Sequence, residues 1–330
     1  MRTRHVLTNI FIAFVALAAR PASALDDAAK YPVRPVHIIV GFAAGGGNDI
    51  IARIFGQKLS EDLGQPVIVE NKPGGGAIVA AEYVAKAPSD GYTILVGASG
   101  MVINHALYAK LPYDSIRDFV AVSELCSFPL IMVVNASSPI KSVAELVAYA
   151  KANPDKTNYG SSSASFQLVT ELFKQNTGAP MQAIPYKSAN ESVLAVISGQ
   201  VTTTIADAGS VYSQIKSGTV RALAVAAPKR LDDLPDAPTM KEAGADVDAI
   251  LWSGIFAPKA TPPEIVSKLE AEFVKIAKQP DVIGRLKPLG VETVGSSSVE
   301  FSKIVAADLA RWSEVAKAAN IKAANIKAEP

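Results

Sequence analysis

Residues 37–49 have the sequence HIIVGFAAGGGND, in which a short apolar run leads into three consecutive glycines. Residues 37–42 are predicted to form a buried strand, and residues 49–63 a helix that Gly64 stops. Glycines between a strand and a helix bring backbone N–H groups close to a ligand, and a helix N-terminus favours an anion. The stretch therefore predicts an α/β fold whose first loop, including Gly46, binds a carboxylate or a phosphate.

The role of Asp49 stays open between two interpretations. A carboxylate beside an anionic ligand is unfavourable because like charges repel. Asp and Asn are favoured N-cap residues, so Asp49 and Asn48 are at least as well suited to capping the helix as to contacting a ligand.

The alternation of strands and helices continues along the chain. Repeated strand–helix units predict parallel sheets covered by helices on both faces. The predicted strands are residues 67–70, 93–96, 128–134, 201–206, 223–226 and 251–257. The predicted helices are residues 77–87, 142–152, 165–176 and 189–198, a long helix opened by residues 261–264, and a last helix opened by Ser297 and Glu300.

The length of the chain suggests two domains. No linker rich in Pro, Gly or Ser separates them, but two extended segments, near residues 123–128 and 251–257, are candidates for chain crossings. The predicted fold has two doubly wound α/β lobes joined by a two-strand hinge around a cleft. The first lobe is expected to comprise residues 25–125 plus 252–330, and the second residues 126–251.

The first 24 residues are typical of a cleavable secretory signal peptide. Basic residues precede an apolar run over residues 6–19, and the segment ends in Ala22-Ser23-Ala24. This pattern predicts cleavage after Ala24, and the apolar run is too short for a comfortable membrane span. With a single cysteine, Cys126, the chain forms no internal disulfide, which is compatible with a large periplasmic protein.

The charge of the mature chain argues against nucleic acid or an anionic membrane as the main partner. Three of the 32 basic residues lie in the signal segment, which leaves 29 basic residues against 31 acidic ones. Both of those partners demand a basic surface.

Three further loops follow predicted strands, where ligands gather in open α/β sheets. They comprise residues 97–100, 159–165 and 207–210. Each loop alone is compatible with ordinary turn chemistry, but together they offer two neutral walls of hydroxyl and N–H groups. Only Lys72 and Lys187 lie near such loops, so anion binding is expected to depend mainly on dipoles.

Enzyme and cofactor patterns are weak. The G-x-G of residues 45–47 lacks the third glycine of a dinucleotide site, because that position holds Ile50. The two histidines that follow the signal segment, His37 and His105, lack metal-ligand spacing. No cofactor, no metal and no catalytic residue is predicted, although a hydrolase or dehydrogenase remains an alternative because a triad assembles across a fold.

Nine short motifs occur in the same order as in one known protein family. The chain resembles the Bug-type receptors, the substrate-binding components of tripartite tricarboxylate transporters. The motifs are Tyr31-Pro32-x-Arg34-Pro35, Gly45-Gly46-x-x-Asp49-x-x-x-Arg53, Val69-Glu70-Asn71-Lys72-Pro73-Gly74, Asp90-Gly91-Tyr92-Thr93, Leu111-Pro112-Tyr113-Asp114, Asp118-Phe119, Pro185-Tyr186-Lys187, Gly199-Gln200-Val201 and Leu234-Pro235-x-x-Pro238-Thr239.

The resemblance implies a type II periplasmic binding protein fold that closes on a small organic acid, a mono-, di- or tricarboxylate, aromatic acids included. It places first-lobe ligand contacts at Ala44, Gly45, Asp49, Ser99 and Asn104. It places the opposing contacts at Ser161, Ser162, Tyr186 and Asp207. The chain departs from the family pattern at Gln167 and Ser188 and in its serine-rich loop.

The partners implied are the carboxylate ligand and an integral membrane permease, with the receptor acting as a monomer. A ligand-loaded partner of a signalling receptor is the alternative that the sequence does not separate from transport.

Overall fold

The structure is a computed structural model and describes residues 30–186 and 188–321. The predicted signal peptide, its cleavage site and Lys187 lie outside the described residues. Across the described ranges, no helix combines the length and apolar character that a membrane crossing requires.

The first sheet has six strands in the order β11-β4-β10-β3-β1-β2. Because β1, β2 and β3 run parallel, their carboxyl ends lie at one edge of the sheet. The strands are β1 Val36–Val40, β2 Val67–Asn71, β3 Thr93–Ala98, β4 Phe119–Phe128, β10 Leu251–Pro258 and β11 Glu292–Thr293. The helices of this part of the chain are α1 Gly47–Leu63, α2 Ile78–Ala85, α3 Gly100–Leu107, α8 Pro263–Ala277, α9 Pro280–Leu286 and α10 Ser298–Ala318.

The second sheet has five strands in the order β7-β6-β8-β5-β9. Its parallel strands β6, β7 and β8 also end at one edge. The strands are β5 Leu130–Asn135, β6 Asn158–Ser161, β7 Gln182–Pro185, β8 Thr203–Asp207 and β9 Val220–Ala226. The helices are α4 Val143–Ala152, α5 Ala164–Thr177, α6 Ala189–Ile197 and α7 Ala208–Lys216.

Neither sheet is purely parallel, which corrects the sequence prediction. In the first sheet β10 runs antiparallel to both β3 and β4, and in the second β5 runs antiparallel to both β8 and β9. β5 and β10 are the strands that directly follow the chain crossings. No crossover helix precedes either of them, so neither is set parallel to its neighbours. Apart from these strands, the two-lobed α/β architecture agrees with the prediction.

The chain passes from one sheet to the other at Pro129, which has no N–H for a ladder bond. β4 continues to Phe128, which pairs with Leu251 at the start of β10. Cys126 to Phe128 and Leu251 therefore pair within the first sheet. The limits of the two lobes remain a prediction.

The last long helix, α10, connects the cores of the two sheets. Trp312 and Val315 on α10 belong to one cluster of buried side chains that also contains Leu95 of the first sheet and Leu130 of the second. Its N-terminus has a complete capping box, in which Ser297 and Glu300 satisfy each other's backbone N–H groups. The C-terminal part of the chain thus packs behind the cleft and supports both sheets.

Candidate functional site

A cavity of about 910 Å³ lies between the two sheets. Its walls come from the segments that follow the parallel strands of both sheets, as expected for a ligand site in open α/β sheets. The volume lies within the range of small-molecule sites, roughly 300–1,000 Å³.

Six of the ten residues predicted as ligand contacts line this cavity. They are Ser99, Asn104, Ser161, Ser162, Tyr186 and Asp207. The other four, Ala44, Gly45, Gly46 and Asp49, are not among the residues that line it. The structure thus brings together both predicted walls but places the glycine loop itself outside the cavity, with the adjacent Gly47 and Asn48 on the wall. Ligand binding by any of these residues stays a prediction.

Asp49 is neither an N-cap nor a cavity residue. Gly46 is the N-cap of α1, and the Asp49 side chain is only 3% exposed. Its Oδ2 accepts hydrogen bonds from Gly45 N at 2.8 Å and Arg53 Nε at 2.9 Å, and its Oδ1 accepts one from Asn71 Nδ2 at 2.9 Å. Asp49 therefore joins the glycine loop to α1 and β2.

The ionisation of Asp49 is consistent with this structural role. Burial by itself raises the pKa of Asp49, but hydrogen bonds from Arg53, Gly45 and Asn71 outweigh it and lower the pKa to about 2. The negative charge of Asp49 is already compensated by Arg53 within the first sheet.

Among the described residues, helices from both sheets begin at the cavity, and α1, α3, α5 and α7 are four of them. The wall includes Gly47 and Asn48 at the start of α1, and Ser99 and Gly100 at the start of α3. From the second sheet it includes the start of α5, at Ser163, Ala164 and Ser165, and that of α7, at Asp207, Gly209 and Ser210. A helix N-terminus presents unpaired N–H groups and a partial positive charge. The arrangement therefore favours an anion with acceptor atoms.

Asp207 is the one charged side chain among the described residues that line the cavity. Its carboxylate caps α7, accepting hydrogen bonds from Ser210 N at 2.9 Å and from Ser210 Oγ at 2.9 Å. Within the described part of this wall, no Lys, Arg or His side chain faces a bound anion. The positive potential there comes from the backbone.

Two polar side chains of the cavity wall, Asn104 and Ser162, differ in their hydrogen bonding. Asn104 donates a hydrogen bond from Nδ2 to Gly76 O at 3.1 Å, which fixes its orientation next to a glycine that also lines the cavity. Ser162 is 8% exposed, and its buried Oγ has no hydrogen-bond partner among the described residues. An unpaired hydroxyl at a cavity is suited to bind a polar ligand atom, since leaving it unpaired is unfavourable.

Trp252 and Ser253 connect the first-sheet wall to β10. Trp252 N donates to Ser99 Oγ at 2.7 Å, and Ser99 N donates to Trp252 O at 3.0 Å. Ser253 Oγ donates to Asn48 Oδ1. Two adjacent residues of β10 therefore hold the starts of both α1 and α3.

The indole of Trp252 is held from behind by α10. Trp252 Nε1 donates to Asp308 Oδ2 at 2.7 Å, and its ring packs edge-on against Phe301 with centroids 5.0 Å apart. Trp252 was not predicted as a wall residue. The available signal was its place in a predicted crossing segment at the cleft.

Six aromatic side chains among the described residues line the cavity, and Tyr186 is the one of them that was predicted as a site residue. They are Phe42, Tyr108, Phe128, Phe166, Tyr186 and Trp252. They provide an apolar surface for the carbon skeleton of a ligand. Within the described ranges, no cluster of three or more His, Cys, Asp or Glu side chains is arranged to hold a metal ion.

The fold and the cavity together define a class of protein. Two α/β lobes joined by two chain crossings, with a cavity at the strand ends of both, are the architecture of a type II periplasmic binding protein. The sequence model of the tripartite tricarboxylate transporter family receptors matches residues 51–321, and the chain belongs to this family. It is therefore a solute-binding protein and not an enzyme.

Similar proteins cover nearly all of the described chain. The "UPF0065 protein in tcbD-tcbE intergenic region" of Pseudomonas sp. (strain P51) is 35% identical over 94% of this chain and 93% of its own. The structure of R. palustris Rpa4515 with adipate is 35% identical, covers 88% of this chain and 99% of its own, and has a TM-score of 0.76. MatC (Rpa3494) from Rhodopseudomonas palustris with bound malate is 30% identical, covers 86% and 99%, and has a TM-score of 0.73.

Proposed function

We propose that this protein captures a small organic acid in the cavity between its lobes and delivers it to an integral membrane permease. The observation that carries the proposal is the convergence of four helix N-termini on a cavity whose described wall has no cationic side chain. A carboxylate has both the charge and the acceptor atoms that such termini favour. Adipate and malate, bound in two related structures, are small acids of this kind.

Backbone donors stabilise a bound carboxylate without a cationic side chain. Each helix N-terminus stabilises an anion by roughly 0.3–1 kcal/mol when exposed and up to about 2 kcal/mol when partly buried. A micromolar affinity corresponds to about 8 kcal/mol. The dipoles therefore supply part of the binding free energy, and contact of the carbon skeleton with the aromatic side chains supplies the rest.

The two pairs of helix N-termini face the cavity from different sheets, which favours an acid that spans both lobes. A dicarboxylate places one carboxylate at α1 and α3 and the other at α5 and α7. A monocarboxylate uses one pair and leaves the other to water. In either case the ligand stabilises the closed arrangement only through contacts that it makes with both lobes.

The cellular part of the proposal is a periplasmic, monomeric receptor. It is supported by the predicted signal peptide and by family membership. The protein purified from a periplasmic extract is expected to begin at Leu25. An intact mass that retains residues 1–24 would contradict export by this route.

The binding proposal is tested by thermal unfolding of the mature protein with adipate, malate, benzoate, inorganic phosphate and glucose. An acid present at about a hundred times its Kd adds roughly 2.7 kcal/mol to the free energy of unfolding, which raises the melting temperature visibly. We expect a shift with at least one carboxylate and none with glucose. Shifts with glucose alone, or with phosphate alone, would contradict the proposal.

The variant that tests the glycine loop is Gly46→Val, with Gly284→Val as its control. Gly46 caps α1, and a Cβ there lies 3.3 Å from Ala43 O, so valine displaces the loop that leads to the Gly47 wall. Gly284 lies in α9 with open space around it. Loss of acid binding is expected for the first variant only. Unchanged affinity would exclude this loop from any part in binding.

A further inference from the structure

A short segment between α9 and β11 forms part of the cavity wall although it follows the long helices of the first sheet in sequence. We call residues 287–291 the strap. Pro288, Leu289 and Val291 line the cavity. The strap begins as a single 3-10 turn, Lys287–Leu289, and ends at the short edge strand β11. It belongs by connectivity to the first sheet, where Val291 packs in the core, but its 3-10 turn also contacts α7 of the second sheet.

The strap meets α7 of the second sheet backbone to backbone. A Cβ placed on Gly209, near the start of α7, would lie 2.5 Å from Leu289 O. A Cβ placed on Gly290 would lie 2.4 Å from Gly209 N and 2.8 Å from the carbonyl carbon of Ala208. Real Cβ atoms do not approach other atoms so closely, so this contact exists only because both residues are glycines.

One further contact across the same junction is an ion pair between side chains. Lys287 Nζ lies 3.6 Å from Asp233 Oδ1 on the second-lobe side. Burial raises the pKa of Tyr212, on α7, to about 12, with the nearby charges of Asp233 and Glu292 adding to the effect.

We propose that the strap is a third wall of the ligand site, and that its docking on α7 through the Gly209–Gly290 contact is required for tight binding. This inference rests on the proposed function. The docked strap closes the cavity next to Asp207 and Ser210, at the second-lobe helix terminus that faces the ligand. Any change that holds the strap away from α7 therefore weakens the closed, ligand-bound arrangement and leaves each lobe folded.

The variant Gly209→Ala separates the effect of strap docking on ligand binding from the folding of the second lobe. Gly209 has no positive φ, and alanine is a better helix former than glycine, so the substitution alone favours α7. Its new methyl group meets Leu289 O of the strap. The matched control is Gly284→Ala in α9, where a Cβ meets nothing within 4 Å.

The experiment measures the Kd for adipate by calorimetry and the melting temperature without ligand for the full mature chain and both variants. If adipate gives no shift in the thermal panel, the acid with the largest shift is used. We expect Gly209→Ala to bind at least tenfold more weakly, mainly through faster dissociation, while its ligand-free melting temperature stays within about 2 °C of the parent protein. Gly284→Ala is expected to match the parent in affinity.

The outcomes separate the inference from the function it rests on. Binding by Gly209→Ala within twofold of the parent protein would overturn the strap inference alone. A parent protein that binds no acid would overturn the proposed function. If Gly209→Ala does not fold, Asp233→Lys carries the test by placing two like charges at the junction. A twofold to fivefold weaker affinity at low salt is then expected, and unchanged affinity overturns the inference.

Discussion

Ser162 is the residue whose chemistry most directly suggests a missing partner. It lines the cavity, and its buried hydroxyl is unpaired among the described residues. Such a group lowers the stability of the free protein and gains a hydrogen bond only when a ligand supplies it. The Ser162 hydroxyl therefore lowers the stability of the ligand-free protein and raises its affinity for the ligand.

Ser162→Ala is expected to leave the free energy of unfolding unchanged or raise it by about 1 kcal/mol, and to weaken acid binding about threefold to tenfold. Chemical unfolding and calorimetry measure the two quantities. Thr261→Val is the matched control, because Thr261 Oγ1 is also buried and unpaired but does not line the cavity. Equal affinity of Ser162→Ala and the control would rule out a ligand contact at this hydroxyl.

Glu124 makes stability depend on pH. It is 6% exposed on β4, and burial, followed by the charge of Asp308, raises the pKa of Glu124 from 4.5 to about 7. The folded state therefore holds this proton more tightly than the unfolded state. The contribution of Glu124 to stability is most favourable below pH 4.5 and falls as the pH rises to about 7.

Glu124→Gln is expected to become more stable relative to the parent protein as the pH rises from 4 to 8. The relative gain approaches about 3 kcal/mol, because each pKa unit corresponds to about 1.4 kcal/mol. Urea unfolding at several pH values measures it. A difference between the two proteins that does not change with pH would contradict the account.

The residues of the site were predictable to different degrees. Asp207 ends a strand that a run of Thr, Ile and Ala residues predicts well. Ser161 ends β6, which was predicted as a loop because its residues, Asn158–Ser161, are typical of turns. The N-cap interpretation of Asp49 was wrong, because its partners Arg53 and Asn71 are fixed only by the packing of α1 on β2. Trp252 was missed because an aromatic residue in an apolar strand does not reveal which face it covers.

At the scale of elements, β10 sets the geometry of the first-sheet wall. It runs antiparallel between β3 and β4, and Trp252 and Ser253 bind the starts of α3 and α1. The carboxylate of Asp308, on α10, fixes the indole of Trp252 from behind. A strand and a helix that are distant in sequence thus position the N-termini that face the ligand.

Trp252→Phe is expected to reduce the free energy of unfolding by about 1–3 kcal/mol. The phenyl ring keeps most of the contact with Phe301 but leaves a buried carboxylate, Asp308, without one of its donors. The urea midpoint measures this loss. An unchanged urea midpoint would mean that the hydrogen bond from the Trp252 indole to Asp308 does not stabilise the folded protein.

Most helices and strands were predictable from local patterns. Glycines and Ser caps placed the ends of α1, α5 and α10 within about two residues. Helix α3 was not predicted, because Gly100 begins it and it is only 8 residues long. The direction of β10 was also beyond local reasoning, since it depends on the chain returning from the second sheet without a crossover helix.

At the scale of the whole molecule, the two lobes enclose the cavity and the helix α10 packs against both of them. The cavity lies at the strand ends of both sheets, α10 packs behind the cleft against both cores, and the strap spans the two sheets at one side of the cavity. The sequence predicted two lobes and a hinge from the two extended crossing segments. It did not predict the strap, because glycines that permit an inter-lobe contact resemble ordinary turn glycines.

Main-chain N–H groups at helix N-termini are proposed to bind the carboxylate of the acid without a cationic side chain. A crystal structure of the mature protein with the acid that gives the largest thermal shift tests it most directly. Carboxylate oxygens are expected about 2.7–3.1 Å from backbone nitrogen atoms at the starts of α1, α3, α5 or α7. A carboxylate paired with a Lys or Arg side chain, or bound outside the cavity, would contradict it.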